Sequence, residues 1–206
     1  MIGILDYNAG NISSVLNAFK YLEIDAKRIE TLDEIMKMKG IVIPGVGSFP
    51  TAYKNMQNIG ITRNFLNEYL KKGKILGICL GMQIMYEYGE EDGGCEGYGF
   101  FKGSVKRLES GLIVPHMGWN KVDFLRESRL IEKNKNGFNA YFAHSYIASK
   151  NGEQVKGSCL YGEGFAALIE EKNIFGVQFH PEKSGENGLR LLKKFGEICY
   201  ENNSSS

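Results

Sequence analysis

The stretch KKGKILGICLGMQIMYEYG, Lys71 to Gly89, decides the fold. Its apolar run Ile75–Ile78 reads as a buried strand, and LGMQIMYEY after Cys79 reads as a helix. The turn between them is Gly77-Ile78-Cys79-Leu80-Gly81, one cysteine flanked by glycines. A strand passing directly into a helix is the unit of a parallel sheet covered on both faces. Ligands in such sheets bind beyond the carboxyl ends of the strands, where Cys79 falls. G-x-C-x-G has the form of a nucleophile elbow, in which glycines permit the sharp turn and clear room for the helix. Its thiolate would attack a carbonyl, the helix N-terminus favouring the charged sulfur, and the Leu80 N–H would face the oxyanion. The competing reading is a small thiol packed in the core.

The same alternation extends outward. IGIL (Ile2–Leu5) and IVIP (Ile41–Pro44) read as strands. Ile12, Val15, Leu16, Phe19 and Leu22 share one helical face, as do Phe65, Leu66, Tyr69 and Leu70 within a helix over Thr62–Lys72. The second half is richer in extended runs: GYGFFKGSVKRL, WNKVDF, NAYFAHSYIA, VKGSCLY, FAALIE and IFGVQF. A closing helix from about Ser184 carries Leu189, Leu192, Phe195 and Cys199 inward. These runs predict a single α/β domain over residues 1–200, a mostly parallel sheet flanked by helices with an antiparallel extension, and a disordered polar tail over 201–206.

Composition narrows the function. A net charge of +1 over 206 residues gives no footprint for nucleic acid or an anionic membrane. No apolar run approaches the ~18–20 residues of a membrane span, and MIGILDY lacks the features of a secretory signal. The expectation is a cytoplasmic protein. Cys79, Cys95, Cys159 and Cys199 form no C-x-x-C pair, and His116, His144 and His180 lie far from them in sequence, so neither a metal site nor a disulfide framework is expected.

A cysteine nucleophile needs a base and an orienting group. GVQFHPEKS, Gly176 to Ser184, supplies both: His180 directly follows an apolar strand, and Glu182 follows beyond Pro181. Proline holds the preceding residue extended, and residues two apart in an extended segment point the same way. Cys79, His180 and Glu182 thus satisfy the roles of nucleophile, base and orienter. A surface histidine beside a loop glutamate is the plainer alternative. His144 in YFAHSY lines the same cleft or is a satisfied strand-end residue, and His116 in VPHMGWN suits a contact surface as readily as a catalytic one. The glycines of Pro44-Gly45-Val46-Gly47 would let backbone N–H groups turn toward a ligand, or they form a plain turn.

Taken together, GICLGMQ, PGVGSF and FGVQFHPEKS resemble the class I glutamine amidotransferases. DYNAGNISSV, PHMGWN and YFAHSY, with Met82 after CLG, resemble the branch formed by the glutaminase subunits of imidazole glycerol phosphate synthases, over about Ile2 to Phe195. The resemblance implies the flavodoxin-like fold of that family and a glutamyl thioester on Cys79, with His180 moving protons and Glu182 orienting it. It implies an oxyanion hole from Gly45, Val46, Gly47 and Leu80, and a glutamine pocket from Gln83, Glu91, His144, Ser145 and Tyr146. It also implies that ammonia passes to a (β/α)₈ cyclase subunit docked on Met117, Trp119, Asn120, Tyr141 and Lys183. No cofactor is implied. Trp119 in core packing is the alternative to Trp119 in an interface.

The sequence departs from the family's common pattern at Asn8-Ala9, where a glycine often leads, and at Ala143 and Ile147. These positions leave open a paralogous subunit that feeds a related synthase, such as one modifying surface sugars. Two readings stand further off: a Cys-His hydrolase of peptides or small amides, and a degenerate binding subunit.

Overall fold

The computed structural model describes residues 1–109, 111–131 and 136–201. In chain order the elements are β1 (Ile2–Leu5), α1 (Ile12–Tyr21), β2 (Ala26–Ile29), α2 (Leu32–Ile35), β3 (Gly40–Ile43), α3 (Phe49–Asn58), α4 (Arg63–Leu70), β4 (Lys74–Ile78), α5 (Leu80–Gln83), β5 (Tyr86–Gly89), β6 (Cys95–Glu96), β7 (Phe101–Arg107), β8 (His116–Phe124), β9 (Gly137–His144), β10 (Tyr146–Ala148), β11 (Val155–Tyr161), β12 (Glu163–Glu171), β13 (Ile174–Val177) and α6 (Gly185–Tyr200). Asn11 caps α1 by accepting from Ser14 N–H, and Thr62 caps α4 by accepting from Phe65 N–H.

The main sheet has nine strands in the order β2-β1-β3-β4-β13-β12-β11-β8-β9. The first five are parallel, and β12, β11, β8 and β9 extend the sheet antiparallel. The parallel part follows the flavodoxin order. β1, β3, β4 and β13 are buried throughout, which is why their sequences are near-continuous apolar runs. Alternate residues serve opposite faces. Ile4, Val42, Leu76, Ile78, Phe175 and Val177 pack with Phe19 of α1 and Leu192 and Phe195 of α6. Leu5, Ile41, Ile43 and Ile75 pack with Phe49 and Met56 of α3, Leu66 and Tyr69 of α4, and Met82 of α5. Truncating Phe195 to alanine at this joint costs about 3–5 kcal/mol.

One local reading changes. The helix expected over LGMQIMYEY stops at Gln83, and Tyr86–Gly89 becomes β5. That strand pairs parallel with β7 in a second, four-stranded sheet ordered β10-β7-β5-β6. Tyrosines suit a strand, and pairing with distant β7 overrides the local helical pattern. The half-exposed strand β2 has no apolar alternation to announce it, whereas α3 carries Phe49, Ala52, Tyr53 and Met56 at helical spacing, a pattern that was not singled out from the sequence. Of the tail expected to fray, only Glu201 is among the described residues; 202–206 lie outside them. The loops after β3, β4 and β13 meet at one end of the parallel strands, and the site forms there.

Candidate active site

Cys79 lies at φ 54° and ψ −112°, a backbone region that a non-glycine residue seldom occupies. Such strain costs of order 1–3 kcal/mol and persists because its surroundings hold it. Its N–H donates to Val177 O at 2.7 Å, and its carbonyl accepts from Met82 and Gln83 N–H at 3.0 and 3.1 Å. The elbow packs directly on β3. A Cβ on Gly81 would collide with the Ile43 carbonyl, and one on Gly77 with the Gly81 backbone. A Cβ on Gly45 would lie 2.7 Å from Leu80 Cβ. All three glycines are therefore required by close approach. The helix behind the elbow is only four residues long, so the helix dipole expected to act on the sulfur is small. Side chains act on it instead.

His180 follows β13 in extended conformation, and Pro181–Lys183 then turn as a short 3₁₀ helix. Glu182 thus reaches back through a turn; the extended register expected for it ends at His180. His180 N–H donates to Tyr141 O at 2.9 Å. Ser184 Oγ donates to His180 O at 2.6 Å and accepts from Tyr141 N–H at 2.9 Å, tying this loop to β9. His180 Nδ1 lies 3.0 Å from Glu182 Oε1. A carboxylate only accepts, so Nδ1 carries the proton there and the other ring nitrogen is left for Cys79. Both side chains are buried, at 7% and 1% exposure. Burial alone would depress His180, but hydrogen bonds and charge from Cys79 and Glu182 raise it to about 10. Glu182 Oε2 is buried with no hydrogen-bond partner among the described residues.

In front of Cys79 is a cleft of about 240 Å³, a volume suited to an amino-acid-sized ligand. Gly45, Val46, Gly47, Leu80, Gln83, Glu91, His144, Ser145 and Tyr146 all line it, joined by Pro115, Met117 and Ala143. The structure thus brings together the residues expected for an oxyanion hole and a glutamine pocket. Three of them are already engaged. Gln83 Nε2 donates to Tyr146 O at 2.8 Å and to Gln178 Oε1 at 2.9 Å, and its carbonyl oxygen accepts no hydrogen bond among the described residues. Glu91 Oε2 accepts from Phe49 N–H at 2.7 Å and so caps α3, while burial raises its pKa. The His144 ring is 3.0 Å from Tyr146 O through Nδ1 and 3.1 Å from His116 Nδ1 through Nε2.

His116 is buried, so it forms no contact surface, and it is not among the residues that line the cleft. It is buried between Tyr161 and Phe142, with ring centroids 4.0 and 4.9 Å away. Burial lowers it to about 4, and burial together with the charge of His116 lowers His144 to about 3. Both rings are neutral near pH 7. Gln178 was not singled out from the sequence. It is fully buried just beyond β13, and its Nε2 lies 3.5 Å from Cys79 Sγ. The one available signal was an amide interrupting the apolar run GVQF.

Trp119 is 59% exposed and Met117 64%, which rules out core packing for Trp119. Trp119 meets Tyr141 edge-to-face at 6.3 Å, and Lys183 Nζ stands 5.8 Å from the Tyr141 ring. Asn120 Nδ2 donates to Leu160 O at 3.0 Å, and Leu160 is itself exposed. An aromatic face therefore runs from the cleft mouth at Met117 to the His180 loop. A larger open groove of about 1820 Å³ lies elsewhere, bordered by Phe100, Arg126, Arg129 and Glu170, and Cys79, His180 and Glu182 are not among its lining residues. Among the described residues no cluster of His, Cys, Asp and Glu is arranged to hold a metal, and no helix is long and apolar enough to cross a membrane.

The chain matches the family described as glutamine amidotransferase class-I over residues 4–198. It is 42% identical over 200 residues to the imidazole glycerol phosphate synthase subunit HisH of Caldanaerobacter subterraneus, covering 96% of this chain and 98% of that one. It is 43% identical over 203 residues to the subunit of the same name from Desulfitobacterium hafniense, covering 98% and 96%. Among solved structures, one described as a glutamine amidotransferase superposes with a TM-score of 0.75 at 20% identity, covering 96% and 98%. PurLQS from Thermotoga maritima gives 0.75 at 18% identity, covering 96% and 97%. At these identities the solved structures bear on the fold alone.

Proposed function

The chain belongs to the class I glutamine amidotransferases, and from that premise we propose that it is the glutaminase subunit of an imidazole glycerol phosphate synthase, working in the cytoplasm in histidine biosynthesis. The observation that carries the reading is His180, held between Glu182 and Cys79 beside a cleft of amino-acid size. The Cys79 sulfur attacks the side-chain amide carbon of glutamine, and the carbonyl electrons move onto oxygen. The Leu80 N–H and the Gly45-Val46-Gly47 backbone receive that charge. As the tetrahedral centre collapses, His180 gives its proton to the departing nitrogen, releasing ammonia and leaving a glutamyl thioester. His180 then takes a proton from water, whose oxygen attacks the thioester; glutamate leaves and the sulfur is regenerated. Glu182 holds the Nδ1 proton of His180 throughout. The residues and one water supply every proton and electron pair, so the chemistry calls for no cofactor.

Ser145, Tyr146 and Gln83 line the pocket that takes the glutamine. The partner in this reading is a (β/α)₈ cyclase, which consumes the ammonia to form imidazole glycerol phosphate and aminoimidazole carboxamide ribotide. Met117, Trp119, Asn120, Tyr141 and Lys183 face it. Exposed aromatics and methionine are the side chains enriched at such interfaces, and this face adjoins the cleft mouth. The test is to copurify the chain with a cyclase subunit and treat the complex with a chloroketone analogue of glutamine. Labelling of Cys79, blocked by glutamine, is the expected result. Association with no cyclase, or labelling insensitive to glutamine, would overturn the reading.

A further inference from the structure

We propose that Gln178 is a catalytic residue, a second hydrogen-bond donor that holds negative charge on the Cys79 sulfur from a direction separate from His180. The inference rests on the glutaminase reading for its chemistry, but its geometry stands independently. Gln178 is 0% exposed, and its backbone N–H is fixed to Ala167 O at 3.0 Å. Its Nε2 lies 3.5 Å from Sγ.

The direction of that amide is settled by its neighbours. Tyr146 O only accepts, so the Gln83 atom 2.8 Å from it is the nitrogen. That same nitrogen is 2.9 Å from the Gln178 side chain, which must present its oxygen there. The Gln178 NH₂ then has one direction left, toward the sulfur. Turning Gln178 over would bring two NH₂ groups face to face inside the protein, costing Gln83 its second acceptor and leaving the Gln178 NH₂ with none on that side, an arrangement that buried polar groups avoid.

The sulfur carries excess charge twice in the cycle: before attack, and when the C–S electron pair returns to sulfur as glutamate leaves. At both moments His180 changes its own protonation. An amide donor does not titrate, so Gln178 supplies constant stabilisation while His180 moves the proton. The other titratable groups around the sulfur are accounted for. Tyr7 on the β1 side donates its hydroxyl proton to Pro44 O at 2.6 Å, Glu182 lies behind His180, His144 on β9 is bonded to His116 and Tyr146, and Glu91 caps α3.

The experiment measures iodoacetamide alkylation of Cys79 in the complex from pH 5 to 10, read peptide by peptide so that Cys95, Cys159 and Cys199 are separated. Gln178→Met keeps the volume and removes the donor. Its rate constant at neutral pH should fall about tenfold, and the midpoint of the pH profile should move to higher pH by about one unit, the size expected for one hydrogen bond to a charged group. Gln178→Glu, isosteric but anionic, should fall further. An unmoved midpoint in either variant, with or without a uniform loss of rate, would assign Gln178 to packing and overturn the proposal. Should Gln178→Met not fold, the wild-type complex still answers: the Gln178 side-chain amide resonances should move with the midpoint of alkylation, and a flat titration overturns the proposal. Alkylation does not require glutamine, so a protein that shows these shifts and hydrolyses no glutamine would sink the glutaminase reading alone.

Discussion

Replacing Glu182 by glutamine removes one charge from the triad while keeping an oxygen able to accept from His180 Nδ1. The rise of His180 from 6.5 to about 10 corresponds to roughly 5 kcal/mol in favour of the imidazolium, shared between Cys79 and Glu182 against an opposing burial penalty. One hydrogen bond to a charged group is worth roughly 1.5–3 kcal/mol, or about 10- to 150-fold in an equilibrium, and Glu182 contributes on that scale. Where the new oxygen takes the place of Oε1, the new NH₂ falls at Oε2, which has no partner among the described residues, and that adds cost. Glutamine-dependent kcat is therefore expected to fall about 10²-fold. KM should change little, because Glu182 stands behind His180 and does not line the cleft. Stability has a defined sign. A histidine whose folded pKa is raised stabilises the fold fully below 6.5, and that contribution is lost as pH rises through about 10. The variant should be less stable than wild type by roughly 1.5–3 kcal/mol at pH 6, with the gap closing toward pH 10. Steady-state kinetics, urea melts at both pH values and NMR titration of His180 measure these quantities. A loss of kcat under threefold, or an unmoved His180 titration, would show that Glu182 does not set the charge on His180.

Three further outcomes are expected. Gly81→Ala places a methyl against the Ile43 carbonyl, a backbone atom with no room to yield, and should cost about 1–3 kcal/mol in urea denaturation and abolish labelling of Cys79 by the glutamine analogue. The buried pair His116–His144 has folded pKa values of about 4 and 3, below the unfolded 6.5, so its contribution is full above pH 6.5 and is lost as pH falls through that window. By pH 4.5 His144 alone should account for roughly 2–3 kcal/mol, and His144→Gln should show a smaller acid loss than wild type in the same melts. Trp119→Ala should weaken cyclase binding at least tenfold by calorimetry while the melting temperature of the isolated chain stays within a few degrees, since its ring is largely exposed.

The parts visible in the sequence were those whose cause is local. β1, β3, β4 and β13 are buried on both faces and read as apolar runs. The elbow was legible because three backbone approaches demand Gly45, Gly77 and Gly81. Asn8, where the family often has glycine, sits at φ 62°, a conformation asparagine tolerates better than most residues, so that departure has a local explanation. What was hidden depends on distant partners. β5 is a strand because β7 lies beside it, and Glu91 is a helix cap because α3 begins across the loop. His144 turns toward His116 because aromatic rings from three strands enclose that pair, and Gln178 points at sulfur because Gln83 and Tyr146 leave it no other direction. A one-dimensional pattern carries no record of such orientations.

In the proposed function Cys79 releases ammonia for use by a separate subunit. Cys79→Ala in the reconstituted complex with its cyclase tests it most directly, by following formation of the cyclised product with glutamine and, separately, with ammonium salt. No product from glutamine and wild-type turnover from ammonium are expected. Product from glutamine in that variant, or loss of the ammonium-dependent reaction in a complex that still assembles, would contradict that function.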